Sequence, residues 1–256
     1  MNIILVFFLV LSSSFAANKP QIKKSTPVQK EKSSTSSGSK SIWKQWFKYS
    51  VNSEPLGYYF EEVDKQNKQN EITISQHWWE KDPQAGVAET FIGSVAKDLP
   101  GYPPVAFFVE RKSAILAKNF DARSKNDKLV IQIKDFISKK DKKIFISLNK
   151  TEIFSSFLSL YIAQKGKSFE KKAFGFKTIL EDSKDESFEP SDGQARITQE
   201  TEKINNETCF KVEFVFMNTP SIWWVEKNGR LCKQYIPSYN SILVATTEED
   251  AKKSLK

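Results

Sequence analysis

The strongest constraint on this chain is a spacing of two. Phe47, Tyr49 and Val51 alternate with Trp46, Lys48 and Ser50, and after Asn-Ser-Glu-Pro, Tyr58 and Phe60 alternate with Tyr59, Glu61 and Val63. Ile72, Ile74 and Trp78 alternate with Thr73, Ser75 and His77. Leu129, Ile131 and Ile133 alternate with Gln132 and Lys134, and Phe210, Val212, Phe214 and Phe216 with Lys211, Glu213 and Val215. Successive side chains of a strand point to opposite faces, so these runs read as strands with one face toward a core. Polar turns separate them: Asn67 to Asn70, the Lys-rich Ser138 to Lys143, and Asn228-Gly229, the strongest short hairpin signal present because both turn positions need positive φ. Ile144 to Leu148, Ser221 to Lys227, Leu231 to Ile236 and Ser241 to Ala245 complete the set. Residues 87 to 97 are assigned to a strand, although Val87, Phe91, Ile92 and Val95 also fit a helical face.

Two segments carry helical spacing instead. Thr151 is placed to cap a helix over 152–164 with apolar positions Ile153, Phe154, Phe157, Leu158 and Tyr161, and Gly166 is its stop. Thr247 and Asp250 have the spacing of a capping box opening a short helix that runs to Leu255. Roughly a dozen strands with one mid-chain helix are too many for a small sandwich. The expected fold is therefore all-β: a long curved antiparallel meander, or half-barrel, with the mid-chain helix in its concavity and a short C-terminal helix.

The ends set the expected organisation. Residues 3–10 are uninterrupted apolar residues followed by Ser12, Ser13, Ser14 and Ala16. Such a run is too short to span a bilayer, which takes roughly 20 apolar residues, and it has the layout of a secretory signal peptide cleaved after Ala16. It departs from that pattern in having no Lys or Arg ahead of the apolar run, and an uncleaved anchor is the alternative. Residues 17–41, rich in Lys, Ser, Thr and Pro, are expected to be a disordered linker. One β domain should fill 42–256. Export to the periplasm or the medium follows from this layout.

Charge follows the same division. Between Ala17 and Lys44 seven Lys stand against one Glu, giving +6 of the chain's +8 and leaving about +2 for everything else. The basic tail is expected to touch anionic surfaces weakly at most, the domain is not expected to bind nucleic acid, and a monomer is expected.

This order of features resembles the lipoprotein-carrier half-barrels (the LolA and LolB type) and a related group of bacterial envelope domains of unknown function. The residues that carry the resemblance are Trp46 to Val51 with Pro55-Leu56-Gly57-Tyr58, Val105 to Phe108, the Phe154 to Tyr161 segment, Ser221 to Val225 with Lys227 to Leu231, and Thr246 to Ala251. The resemblance implies a curved sheet able to hold an apolar ligand or an acyl chain. It implies no catalytic residue.

Chemistry-bearing motifs are sparse. His77 is the single histidine, so a multi-histidine metal site is excluded; its position predicts an ordinary outward strand histidine. Glu61 and Glu62 are neighbours on a strand, point to opposite faces, and are expected on solvated surface. No P-loop, dinucleotide fingerprint or CxxC occurs. Neither enzyme activity, nor a metal, nor a cofactor is expected. Two Asn-x-Thr sequons, at Asn149 and Asn206, matter only in a source that glycosylates.

Cys209 and Cys232 are an even pair in a chain expected to be exported, which favours a disulfide. If 221–227 lies between their strands, the sulfurs are too far apart to bond. The sequence leaves the bridge open. Trp78-Trp79 and Trp223-Trp224 place one indole on each face of their strands, and one of each pair needs cover. From this surplus the candidate groove is assigned to Trp78, Phe154, Phe157, Tyr161, Phe214 and Trp224. The leading expectation is a non-enzymatic envelope protein binding a lipid or other apolar ligand. The alternatives are a protein-interaction or structural module of the envelope and, last, a hydrolase using His77.

Overall fold

The computed structural model describes residues 39–66, 69–83, 86–149, 152–166 and 172–255. The expected signal peptide, the linker up to residue 38 and the cap assigned to Thr151 lie outside these residues.

Among the described residues fifteen strands form a single sheet. They are β1 (Ser39–Val51), β2 (Glu54–Gln66), β3 (Glu71–Asp82), β4 (Gly86–Lys97), β5 (Pro104–Lys112), β6 (Ala117–Lys125), β7 (Lys128–Asp135) and β8 (Lys140–Ser147), then β9 (Glu152–Phe154), β10 (Lys172–Ile179), β11 (Ser191–Ile204), β12 (Glu207–Phe216), β13 (Thr219–Val225), β14 (Leu231–Ile236) and β15 (Ser241–Thr246). β1 begins at Ser39, ahead of the boundary expected at 42. The sheet order runs from β8 down to β1, across to β15, and down again to β9. β1 and β15 therefore pair at its centre, while β8 and β9, neighbours in sequence, are its two edges. The pairings are antiparallel except β9 with β10. This is the curved, barrel-like meander that the period of two predicts.

The turns obey the chirality of strands. Four two-residue connections, Asn52-Ser53, Asn126-Asp127, Asn205-Asn206 and Met217-Asn218, have both residues at positive φ, which matches the right-handed twist of the strands they join. Asn228-Gly229 does form a hairpin, but not of this kind: only Gly229 has positive φ (96°), within a longer loop closed by Glu226 N–H donating to the Arg230 carbonyl (2.9 Å). A Cβ at Gly229 would sit 2.9 Å from the Leu160 Cα, so glycine there lets the hairpin tip approach the mid-chain helix.

That helix is shorter than its spacing predicts. Residues 152–154 pair as β9 with Lys177, Thr178 and Ile179, a 3-10 turn occupies Ser155–Phe157, and α1 covers Leu158–Lys165, ending at Gly166 as expected. Strand pairing with β10, locked by the Thr178 hydroxyl donating to the Ile153 carbonyl (3.0 Å), overrides the helical periodicity at Ile153 and Phe154. The C-terminal helix α2 (Glu248–Lys252) starts as predicted, with Asp250 N–H donating to the Thr247 hydroxyl (3.3 Å), and a 3-10 turn follows at Lys253–Leu255. Residues 87–97 are strand, as assigned.

The core fills the inside of the curve. Phe47, Tyr59, Ile74, Phe107, Val109, Phe120, Ile131, Val212 and Phe216 line it, and Ile153, Phe154, Phe157 and Ile162 plug it; none is more than 2% exposed. Phe188, in the β10–β11 connection, is fully buried and packs on Phe107 (5.9 Å) and Phe120 (5.4 Å).

Cys209 and Cys232 are bonded, with Cα atoms 6.5 Å apart. β13 does lie between their strands, but its pairing ends at Val225, opposite Phe210 on one side and Leu231 on the other. Cys209 lies beyond that end. Cys232 is the extra residue of a bulge, because Trp224 faces Lys233 while Val225 faces Leu231. The bond closes around the end of the strand rather than across it. Removing a cross-link that closes a loop of this length is expected to cost about 3 kcal/mol. Thermal melts with and without reductant, beside a C209A/C232A double variant, check this.

Candidate functional site

Five of the six residues assigned to a groove are brought together, four of them wholly as packed core, while Tyr161 packs on the core and also borders an open cleft. Trp78 stacks on Tyr59 (4.0 Å), which stacks on Phe47 (4.4 Å); Phe214 lies between Phe176 (5.0 Å) and Trp223 (4.6 Å). Phe154 meets Phe107 edge-on (5.4 Å), and Phe157 lies 5.7 Å from Tyr102. Tyr161 approaches Phe174 at 6.0 Å. Trp224 is the exception. The pairing of Val212 with Trp223 turns Trp223 inward, so Trp224 faces out, against the Cys209–Cys232 bond and beneath the Lys233 ammonium (4.3 Å). The helix segment therefore covers the concave face, with Phe154 and Phe157 packed from it against the aromatic residues of the sheet.

An open cleft of about 650 Å³ borders Tyr161, Phe176, Gly193, Val215 and Met217 at the β10–β12 side. It holds no tryptophan and includes Lys177, Asp192 and Gln194 in its lining.

Polar groups inside the curve form a network that sequence reading does not detect. The Glu181 carboxylate accepts from Ser94 Oγ (2.9 Å), from the Ser155 N–H (2.9 Å) and hydroxyl (2.5 Å), and from the Ser156 N–H (3.2 Å) and hydroxyl (2.5 Å). It caps the 3-10 turn and ties it to β4. The adjacent Asp182 pairs with Arg111 of β5, whose guanidinium also donates to the Asp182 carbonyl (2.8 Å) and lies over the Phe120 ring (5.2 Å). Burial pushes the Asp182 carboxyl up to about 6 against the pull of Arg111. On β3, burial pushes Glu80 up to about 8, partly offset by Lys184, and its Oε1 is buried without a hydrogen-bond partner among the described residues. Burial lowers Lys184 in turn.

The arrangement makes Glu80 a stability switch. Its folded-state pKa lies above the ordinary 4.5, so the folded chain binds the extra proton. Stability from that proton is complete at or below pH 4.5 and is lost as pH rises through 8. Glu80→Gln is expected to change little at pH 5, to stabilise increasingly as pH rises towards 8, and to level off above it, read by urea midpoints across that range. A difference independent of pH would contradict the assignment.

Glu61 is a correction to the expected solvated face. It is 4% exposed and accepts from Trp43 Nε1 (3.3 Å) and Gln76 Nε2 (2.9 Å), while Glu62 faces out and pairs with Lys44 (2.7 Å). His77 points outward, as expected. It stacks on Trp79 (3.8 Å), with Nε2 3.9 Å from a Glu89 oxygen, and burial lowers its pKa against the pull of Glu89 and Glu110. It belongs to an outer-face ladder: Trp46 packs on Phe60 (4.8 Å), Tyr58 on Trp79 (4.7 Å) and His77 against Phe91 (6.0 Å). Lys252 of α2 caps one end over Trp46 (5.2 Å). The rings stack on one another, so they supply much of their own cover.

No group of three or more His, Cys, Asp or Glu side chains among the described residues is placed to hold a metal ion. No helix among them is long and apolar enough to cross a membrane.

These features define a class: an open, barrel-like antiparallel sheet closed on its inner face by its own helix. No family model matches the chain, and no curated protein matches it. Among solved structures it is similar to the crystal structure of a β-barrel-like protein of domain of unknown function DUF1849 from Brucella abortus. The TM-score is 0.57 at 10% identity, over 79% of this chain and 94% of that one. At that identity the likeness is one of fold.

Proposed function

We propose that this chain is a non-enzymatic, exported binding or structural module that works from its outer surface and carries no ligand inside its sheet. One observation carries the reading: Phe154, Phe157, Ile153 and Ile162 are 0% exposed and occupy the concavity where a carrier would hold an acyl chain. A pocket for an apolar ligand needs roughly 300 Å³ or more of free space, and these side chains stand in its place. Export is supported by the signal-like residues 3–16 and by the Cys209–Cys232 bond, since disulfides persist in oxidising compartments. On this reading His77 is a packing residue of the outer face, set against Trp79 (3.8 Å) and edge-on to Phe91 (6.0 Å).

Native mass spectrometry of the purified chain tests this. A mass equal to the polypeptide alone, with no uptake of a fluorescent fatty acid, is the expected result. A stoichiometric lipid surviving purification, displaced by substitution of Tyr161 or Phe176 beside the open cleft, would replace this reading with that of a carrier.

A further inference from the structure

Two adjoining hairpin ends combine exposed apolar side chains with a local excess of positive charge. Ile115, in the β5–β6 connection, is 61% exposed, and Phe136 and Ile137, in the β7–β8 connection, are 57% and 56% exposed. The two connections are side by side, since the Phe136 N–H donates to the Ala117 carbonyl (2.9 Å) and Lys118 faces Asp135. Both are held in shape. Asp135 Oδ1 accepts from the N–H groups of Ile137 (3.0 Å) and Ser138 (2.9 Å), and Ser113 N–H donates to the Leu116 carbonyl (2.8 Å). The apolar tips are thus a fixed display.

Residues 110–118 and 134–143 hold eight Lys or Arg against three acids, a net of +5 in sequence, of which Arg111 is buried against Asp182 and so does not contribute to the surface. The chain beyond Lys44 totals only +2, so everything in it outside these two stretches sums to −3. Lys118 and Lys142 are engaged with Glu186, but Lys134, Lys139 and Lys140 form no ion pair among the described residues. Lysines on the edge strand β8 also discourage strand addition. That role accounts for Lys140 to Lys143; it explains neither Lys134 and Lys139 nor three large apolar side chains held in water at the tips.

We propose that these two hairpin ends dock the protein on an anionic phospholipid bilayer, with Ile115, Phe136 and Ile137 entering the headgroup–acyl boundary and the surrounding lysines meeting lipid phosphates. Apolar anchors ringed by basic residues combine the two contributions that hold proteins at such surfaces. The proposal rests on the reading of an outward-working module and names its partner.

The test is sedimentation of the full chain with vesicles of phosphatidylcholine alone or mixed with phosphatidylglycerol. Binding is expected to the mixed vesicles only and to weaken with salt. F136S/I137S and K139E/K140E should each weaken it by about tenfold or more, while Val215→Ser, which alters an exposed apolar residue elsewhere, leaves it unchanged. Every variant keeps the lysines before residue 45, so their contribution cancels. In a second measurement, the emission added by F136W should shift to the blue on mixed vesicles. Absence of binding, equal binding by all variants, an unshifted emission, or a solution dimer broken by I137E would each overturn the proposal. None of these outcomes touches the native-mass result, so the two readings fail separately.

Discussion

Phe157→Ala is expected to destabilise the protein by about 3–5 kcal/mol, the usual cost of emptying a fully buried phenylalanine site. Phe157 is 0% exposed and stands where the 3-10 turn becomes α1, facing Tyr102. The apolar space it vacates lies between the sheet and the helix that closes it, and an apolar space of that kind can remain dry and accept a small hydrophobic probe. The variant is therefore expected to bind such a probe where the natural chain does not. Urea unfolding gives the first quantity and probe titration the second. A loss below about 1 kcal/mol would mean that the helix is not packed as described.

Arg111→Met should be nearly as severe and should depend on pH. The substitution keeps an unbranched stem over Phe120 but strands the Asp182 carboxyl, and breaking a buried pair costs about 3–5 kcal/mol. Asp182 takes up a proton in the folded state near pH 6, above its ordinary 3.8. Below that pH the carboxyl is neutral with or without its partner, so the variant loses little there. Above it, the natural chain keeps a paired carboxylate, whereas the variant must bury a bare one or hold its proton. The gap between the two should widen from pH 5 to pH 8 in denaturant midpoints. A gap of constant size would assign the cost to lost packing instead.

The sequence shows the first three strands clearly because apolar residues recur at every second position in each, whereas β4 also fits a helical face because Thr90 and Ser94 stand on its buried side. β11 escapes notice because Ala195 and Ile197 are its apolar inward residues before a run of Thr, Gln and Glu, and β6 because Phe120 and Ala122 stand alone between charges. With β10 unseen, nothing in the sequence could show that Ile153 and Phe154 would pair with it rather than begin a helix. The choice between Trp223 and Trp224 was likewise undecidable: a doubled tryptophan gives alternation no phase, and only the pairing of Val212 with Trp223 sets it. The interior network is invisible for another reason. Glu80, Arg111, Asp182 and Lys184 come from three distant segments, and the one holding Asp182 and Lys184 reads as a polar loop. The one signal within it was Phe188, an aromatic residue too apolar for a loop in water. Glu61 departs from the expected solvated face because alternation gives a residue's face but not whether that face is wet.

The meeting of β1 and β15 in the middle of the sheet has a consequence for how the molecule is made. A meander usually adds each strand to the one before it, so folding keeps pace with synthesis. Here the first strand has a vacant flank until the last strand arrives, more than half of the sheet later in sequence. Such non-local pairing slows folding, and an unpaired strand edge invites association with other chains while it waits. Opening the chain between β8 and β9 and joining its natural ends would turn the same sheet into an ordinary sequential meander. A permutant of that kind should reach a similar final structure faster and with less aggregation on the way.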